Sequence, residues 1–142
     1  MNHPQFCYVD TSFGDFSHRN NVIDVRDVNK SVPDDRKNCA CTYHRFPKLY
    51  AEHREKTGST KGYKGASYTD FIPFDFDSDD LALSLERVRD FLKVLEVSYE
   101  VEGLQGVRVW FSGKKGFHVG LSSILLGGWA PAPDLAVKLK VL

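Results

Sequence analysis

Phe71-Ile72-Pro73-Phe74-Asp75-Phe76-Asp77-Ser78-Asp79-Asp80 is the stretch on which the reading of this chain turns. Its aromatic and β-branched residues predict a buried strand over 71–77, with odd and even positions on opposite faces. Asp75 and Asp77 then share one face. Pro73 makes this an imperfect central strand, because proline has no N–H to give the ladder. Ser78-Asp79-Asp80 supplies a capping residue and early carboxylates for a helix start. Leu81, Leu85, Val88, Leu92, Leu95 and Tyr99 recur at three- and four-residue spacing, which predicts an amphipathic helix ending between Glu96 and Glu102, before Gly103.

Downstream, Val107 to Phe111 reads as a strand, Ser112-Gly113-Lys114-Lys115-Gly116 as a turn, and Phe117 to Leu121 as the returning strand of a hairpin. If Phe117 enters the core, His118 faces the other side. After Gly127-Gly128 and the prolines Pro131 and Pro133, a helix is predicted from Asp134, and it reaches Leu142 in mid-pattern; a longer parent protein is the expectation. Upstream, strand-like runs over Gln5–Val9 and Asn21–Val25 flank the polar stretch Thr11 to Asn20. A short helix is predicted from Phe46 to Glu55, ended by Thr57-Gly58-Ser59-Thr60, and a flexible basic loop from Gly58 to Gly65 carries Lys61 and Lys64.

A length of 142 residues fits a single domain over 1–142. A hydrophobic fraction of 42% with 27% charged residues argues against disorder. Nineteen basic and nineteen acidic residues cancel, so net charge does not advertise nucleic-acid binding. Local polarity is stronger: basic residues gather from Arg36 to Lys64 and carboxylates from Asp70 to Asp80, which suits a groove holding phosphates beside metal ions. The odd set Cys7, Cys39 and Cys41, with neither a leader nor a run of about 18 apolar residues, predicts a cytoplasmic protein with reduced thiols and no membrane contact.

Two carboxylates on one strand face are hard oxygen ligands suited to Mg2+ or Mn2+, which keep waters and substrate phosphates in their remaining positions. Taken alone, Asp-x-Asp is also an ordinary pair of surface carboxylates and occurs in sugar-nucleotide transferases. Ser112-Gly113-Lys114-Lys115-Gly116-Phe117-His118 outlines a phosphate cradle: glycines allow close backbone approach, hydroxyl and amides donate, and lysines neutralise charge. It is not a Walker loop, since the Gly-x4-Gly-Lys-[Ser/Thr] pattern is absent and a strand follows. The bland reading is a basic hairpin turn with a satisfied histidine. Tyr43, Arg45, Lys61 and Lys64 suit template or nucleotide phosphates, with Tyr43 or Phe46 as a stacking face; a solvated basic surface explains them equally well. Cys39, Cys41 and His44 raise zinc, but Cys-x-Cys is shorter than the usual spacing and no second pair follows, so the thiols read first as core residues. Trp110 and Trp129 read as structural.

Together, the Asp-x-Asp strand, the helix and the Ser-Gly-Lys-Lys-Gly-Phe-His hairpin resemble the archaeo-eukaryotic primase (AEP) superfamily of primase small subunits and primase-polymerases, well over Tyr68 to Leu121 and weakly elsewhere. The resemblance implies the N-terminal portion of that catalytic core. Its fold would be α+β, an RRM-like, AEP-type mixed or antiparallel sheet with helices packed on one side. Asp75 and Asp77 would hold catalytic Mg2+ or Mn2+, and Ser112, Lys115, Gly116 and His118, with Arg45, would bind the nucleotide. The implied partners are a DNA or RNA template and primer, NTP or dNTP, and a helicase or accessory domain of the parent protein. The family's third motif, a further aspartate on a later strand, has no match; Asp134 follows too closely and opens a Pro-flanked helix. That departure keeps two alternatives open: a non-catalytic nucleic-acid-binding or replication-initiation module, and a metal-dependent transferase or hydrolase of small nucleotides.

Overall fold

The structure, a computed structural model, describes residues 3–15, 19–35 and 37–139. Arg36, part of the polar stretch before Asn20, and the end of the helix expected to reach Leu142 lie outside the described residues. In chain order the elements are β1 (Tyr8–Ser12), β2 (Asn21–Asp24), α1 (Val28–Ser31), β3 (Ala40–Cys41), α2 (Lys48–Thr57), β4 (Phe71–Asp77), α3 (Leu81–Tyr99), β5 (Val107–Phe111), β6 (Gly116–Ser122) and α4 (Leu135–Lys138). Two 3-10 turns, Glu102–Leu104 and Ser123–Leu126, complete the set among the described residues. The class is α+β, and among the described residues both sheets are antiparallel and three-stranded. The chain forms two compact units, Met1–Thr69 with Ala130–Leu142, and Asp70–Trp129.

In the first unit the strand order is β2-β1-β3. The first strand runs over Tyr8–Ser12 rather than Gln5–Val9, because its polar end is buried with partners. The Asp10 carboxylate accepts from the backbone N–H groups of Asn20 (2.9 Å) and Asn21 (3.1 Å) and from the Thr60 hydroxyl (3.1 Å). The Thr11 hydroxyl donates to the Asn21 carbonyl at 2.8 Å. Burial of such groups is tolerable only when they are paired. Helix α2 starts two residues later than its apolar pattern suggests, since Phe46 is engaged in a backbone bridge with Tyr8. Gly58 closes the helix in the left-handed region at φ 74°, its N–H donating to the Arg54 carbonyl at 2.8 Å. The loop after it is tied down: the Thr60 N–H donates to the Asn20 side chain at 2.8 Å, and Tyr63 meets Tyr50 edge-on at 5.0 Å.

The second unit has the order β4-β6-β5. β6 is central and β4 lies at an edge, which explains how Pro73 is accommodated without a donor. The even positions of β4 and the odd positions of β6 face α3: Phe74 and Phe76 each meet Phe91 at 5.2 and 5.3 Å, and Val88 (1% exposed), Leu95, Val119 and Leu121 form the sealed centre. Asp80 caps α3, its carboxylate accepting from the N–H of Ala82 at 2.8 Å. The apolar stripe is narrower than the sequence suggests. Leu81 and Tyr99 are exposed, whereas Ser84 is fully buried.

Leu95→Ala is expected to lower unfolding free energy by about 2–5 kcal/mol in urea denaturation, from lost burial plus a residual cavity. His44, 7% exposed, has no hydrogen-bond partner on either ring nitrogen among the described residues, and burial lowers its pKa. Below its ordinary value of 6.5 the unfolded chain takes up a proton before the folded chain does, so this residue contributes a stability loss on acidification. His44→Leu should therefore shallow the fall in urea midpoint between about pH 7.5 and about pH 5; an unchanged slope would refute a buried neutral imidazole.

Candidate metal and phosphate site

Register builds the site. Asp75 lies opposite His118 and Asp77 opposite Gly116 on the β4–β6 ladder, while Trp110 of β5 lies opposite His118 from the other side. Directly paired residues share a face, so Asp75, Asp77, His118 and Trp110 all stand on the face away from α3. His118 Nδ1 is 3.3 Å from Asp75 Oδ1, and Lys115 Nζ is 3.7 Å from Asp77 Oδ2. The Asp75 side chain is 61% exposed. Pairs this open contribute about 0–1 kcal/mol each to stability, so their interest is in what they aim.

The hairpin turn is held from two directions. The Ser112 N–H donates to the Gly116 carbonyl at 2.9 Å, and the Gly116 N–H donates to Ser112 Oγ at 3.1 Å. Gly113 turns the chain at φ 93°. The Lys115 carbonyl accepts from the Ser78 N–H (3.2 Å) and the Ser84 hydroxyl (3.3 Å), fastening the turn to the β4–α3 junction. Sequence reasoning missed Ser84, whose signal was a small polar residue one turn before Val88 inside an apolar stripe. Gly116 is fixed by space: a Cβ there would collide with the Asp77 carboxylate and the Phe76 carbonyl and lie 3.0 Å from Asp77 Cα.

Asp75, Asp77, Ser112, Lys115, Gly116 and His118 therefore gather in the second unit. Arg45 belongs to the first, where its backbone bridges Tyr68. Among the described residues no three His, Cys, Asp or Glu side chains group as a metal site. A Mg2+ ion bound with substrate phosphates needs only one or two protein carboxylates, and the open, same-face pair Asp75 and Asp77 fits that requirement. Cys39, Cys41 and His44 do not group as a ligand set: the Cys39 thiol donates to the Lys37 carbonyl at 3.4 Å, and desolvation raises the Cys41 pKa against the smaller pull of Arg45. Asp134 is engaged by Lys138 at 3.0 Å, which holds its carboxyl below the usual range. Among the described residues no helix is long and apolar enough to cross a membrane.

Comparison with protein-family models, curated proteins and solved structures returns no match.

Gly116→Ala should push the Asp77 carboxylate aside and cost about 1–3 kcal/mol of stability. The same change should weaken Mn2+ binding, read from the free-ion electron paramagnetic resonance signal; undiminished binding would show that Asp77 is not a ligand.

Proposed function

We propose that this chain is the N-terminal portion of the catalytic core of an archaeo-eukaryotic primase-type nucleotidyltransferase, an intracellular, template-dependent primase-polymerase with an RRM-like sheet. The observation that carries this reading is convergence. Twin carboxylates on β4 and the basic turn leading into β6, some forty residues apart in sequence, meet on one open sheet face at 3.3 and 3.7 Å.

In this reading Asp75 and Asp77 hold Mg2+ or Mn2+ together with the nucleotide's phosphates. Ions there would lower the pKa of the attacking 3′-hydroxyl and stabilise charge on the departing pyrophosphate. Lys115 neutralises phosphate charge, the exposed Ser112 hydroxyl donates to a phosphate oxygen, and His118, oriented by Asp75, donates to another. The primer's 3′-hydroxyl would lose its proton to solvent water, and its oxygen would bond to the α-phosphorus as the bond to the bridging oxygen of pyrophosphate breaks, in line. Gly116 leaves room for Asp77, and the Ser78 and Ser84 bonds to the Lys115 carbonyl keep the turn at a set distance from the carboxylates. Positioning of this kind supplies much of the rate in phosphoryl transfer.

A second reading has its own support. Both carboxylates already have basic neighbours and no third carboxylate joins them among the described residues, which suits a nucleic-acid-binding or replication-initiation module without catalysis. Primer extension by the full-length protein with Mn2+ separates the two. Asp75→Ala should abolish product with template binding intact, while Lys115→Ala and His118→Ala should weaken nucleotide affinity by about tenfold or more, the scale of a lost charge-assisted contact. Template binding with no product from the unaltered protein would establish the second reading instead.

A further inference from the structure

The face that carries Asp75 and His118 also carries an aromatic surface that the phosphate chemistry leaves unused. Trp110, read from sequence as structural, is 39% exposed on β5, and its ring lies 5.4 Å from that of His118 at an interplanar angle of 35°. Across the central strand Phe71 meets Trp110 edge-on, 6.1 Å away at 86°. The two rings reach one another over Gly120, where a Cβ would lie 3.1 Å from Phe71 Cδ2 and 3.1 Å from Trp110 Cζ3. Gly120 leaves room for this contact, since a Cβ there would crowd both rings. Arg108, opposite Gly120 in register and exposed, adds a cation to the same face.

We infer that Trp110, braced by Phe71 over Gly120, is a stacking platform for a nucleobase whose phosphates lie toward Lys115 and His118. The inference rests on the proposed function in taking the basic turn as the phosphate end. A solvent-exposed indole costs free energy that a buried one does not, and an indole wedged at a fixed angle loses little entropy when a flat ring lands on it. Its neighbours match the occupant: a planar base meets an aromatic face, and the attached phosphates meet Lys115 and the turn. Trp110 and His118 are register partners on adjacent strands, so a base on the indole and phosphates at the turn end of β6 would lie on one continuous face. Stacking is also sequence-tolerant, as a site that must accept every base requires.

Binding of ATP, inorganic tripolyphosphate and a short oligodeoxyadenylate to the full-length protein, each with Mg2+, tests this. Trp110→Ala should weaken binding of ATP, or of the oligonucleotide if the base belongs to a strand, by about tenfold. Tripolyphosphate affinity should stay unchanged. Trp110→Phe should restore binding and Trp110→Leu should not, so a loss of apolar bulk or of folding is told apart from the loss of a π face. With every tryptophan other than Trp110 replaced by Phe, Trp129 included, the same base-bearing ligand should quench the remaining Trp110 fluorescence and tripolyphosphate should not. Tripolyphosphate binding with both base-bearing ligands unaffected by Trp110→Ala overturns the platform alone. A protein that binds no tripolyphosphate at all counts against the phosphate cradle.

Discussion

A slip of one residue between β4 and β6 would carry Asp75 and Asp77 under α3 and expose Phe74 and Phe76 to water. The pleat allows no intermediate. What forbids the slip is the apolar layer on the helix side, where Phe74, Phe76, Phe117, Val119 and Leu121 close against Val88, Phe91 and Leu95. Burying two charged carboxylates in that layer without partners would cost several kcal/mol each. The core therefore selects the register, and the register delivers both acids and His118 to one face. The site's geometry is a consequence of packing on the sheet's other side.

Polar ties finish what packing begins. A hairpin turn rich in glycine and lysine has little apolar surface to anchor it, and the two lysine charges repel. Here the Lys115 carbonyl is held by the Ser78 N–H and the buried Ser84 hydroxyl, and Ser112 and Gly116 close the turn through two further bonds. Each bond contributes about 0.5–1.5 kcal/mol net. Their larger effect is positional, since they fix how far the basic turn stands from the carboxylates. Asp80, capping α3 from the same junction, adds to that restraint.

The first unit solves a different problem. Its sheet is small, and its strand β1 buries an aspartate, a threonine and a serine where a longer sheet would place aliphatic residues. Asp10 is satisfied by backbone and hydroxyl donors from Asn20, Asn21 and Thr60, so a segment fifty residues away in sequence is tied to the strand. His44 stands apart from this pattern, buried with both nitrogens unpaired among the described residues.

Elements whose own residues carry their pattern could be read directly from the chain. The strand Phe71–Asp77, the helix Leu81–Tyr99 and the hairpin around Ser112–Gly116 appear close to where alternation, three- and four-residue spacing and turn chemistry put them. The shared face of Asp75 and Asp77 follows from strand geometry alone. Elements defined by distant partners could not be read so. β1 runs into polar residues because Asn21 and Thr60 satisfy them, and α2 starts late because Tyr8 claims the backbone of Phe46. The role of Ser84, the space that demands Gly116, and the meeting of Trp110 with Phe71 across Gly120 exist only once the strands are ordered β4-β6-β5. Periodicity is a local property of the backbone, whereas cross-strand register and close approach are settled by which surfaces must leave water together.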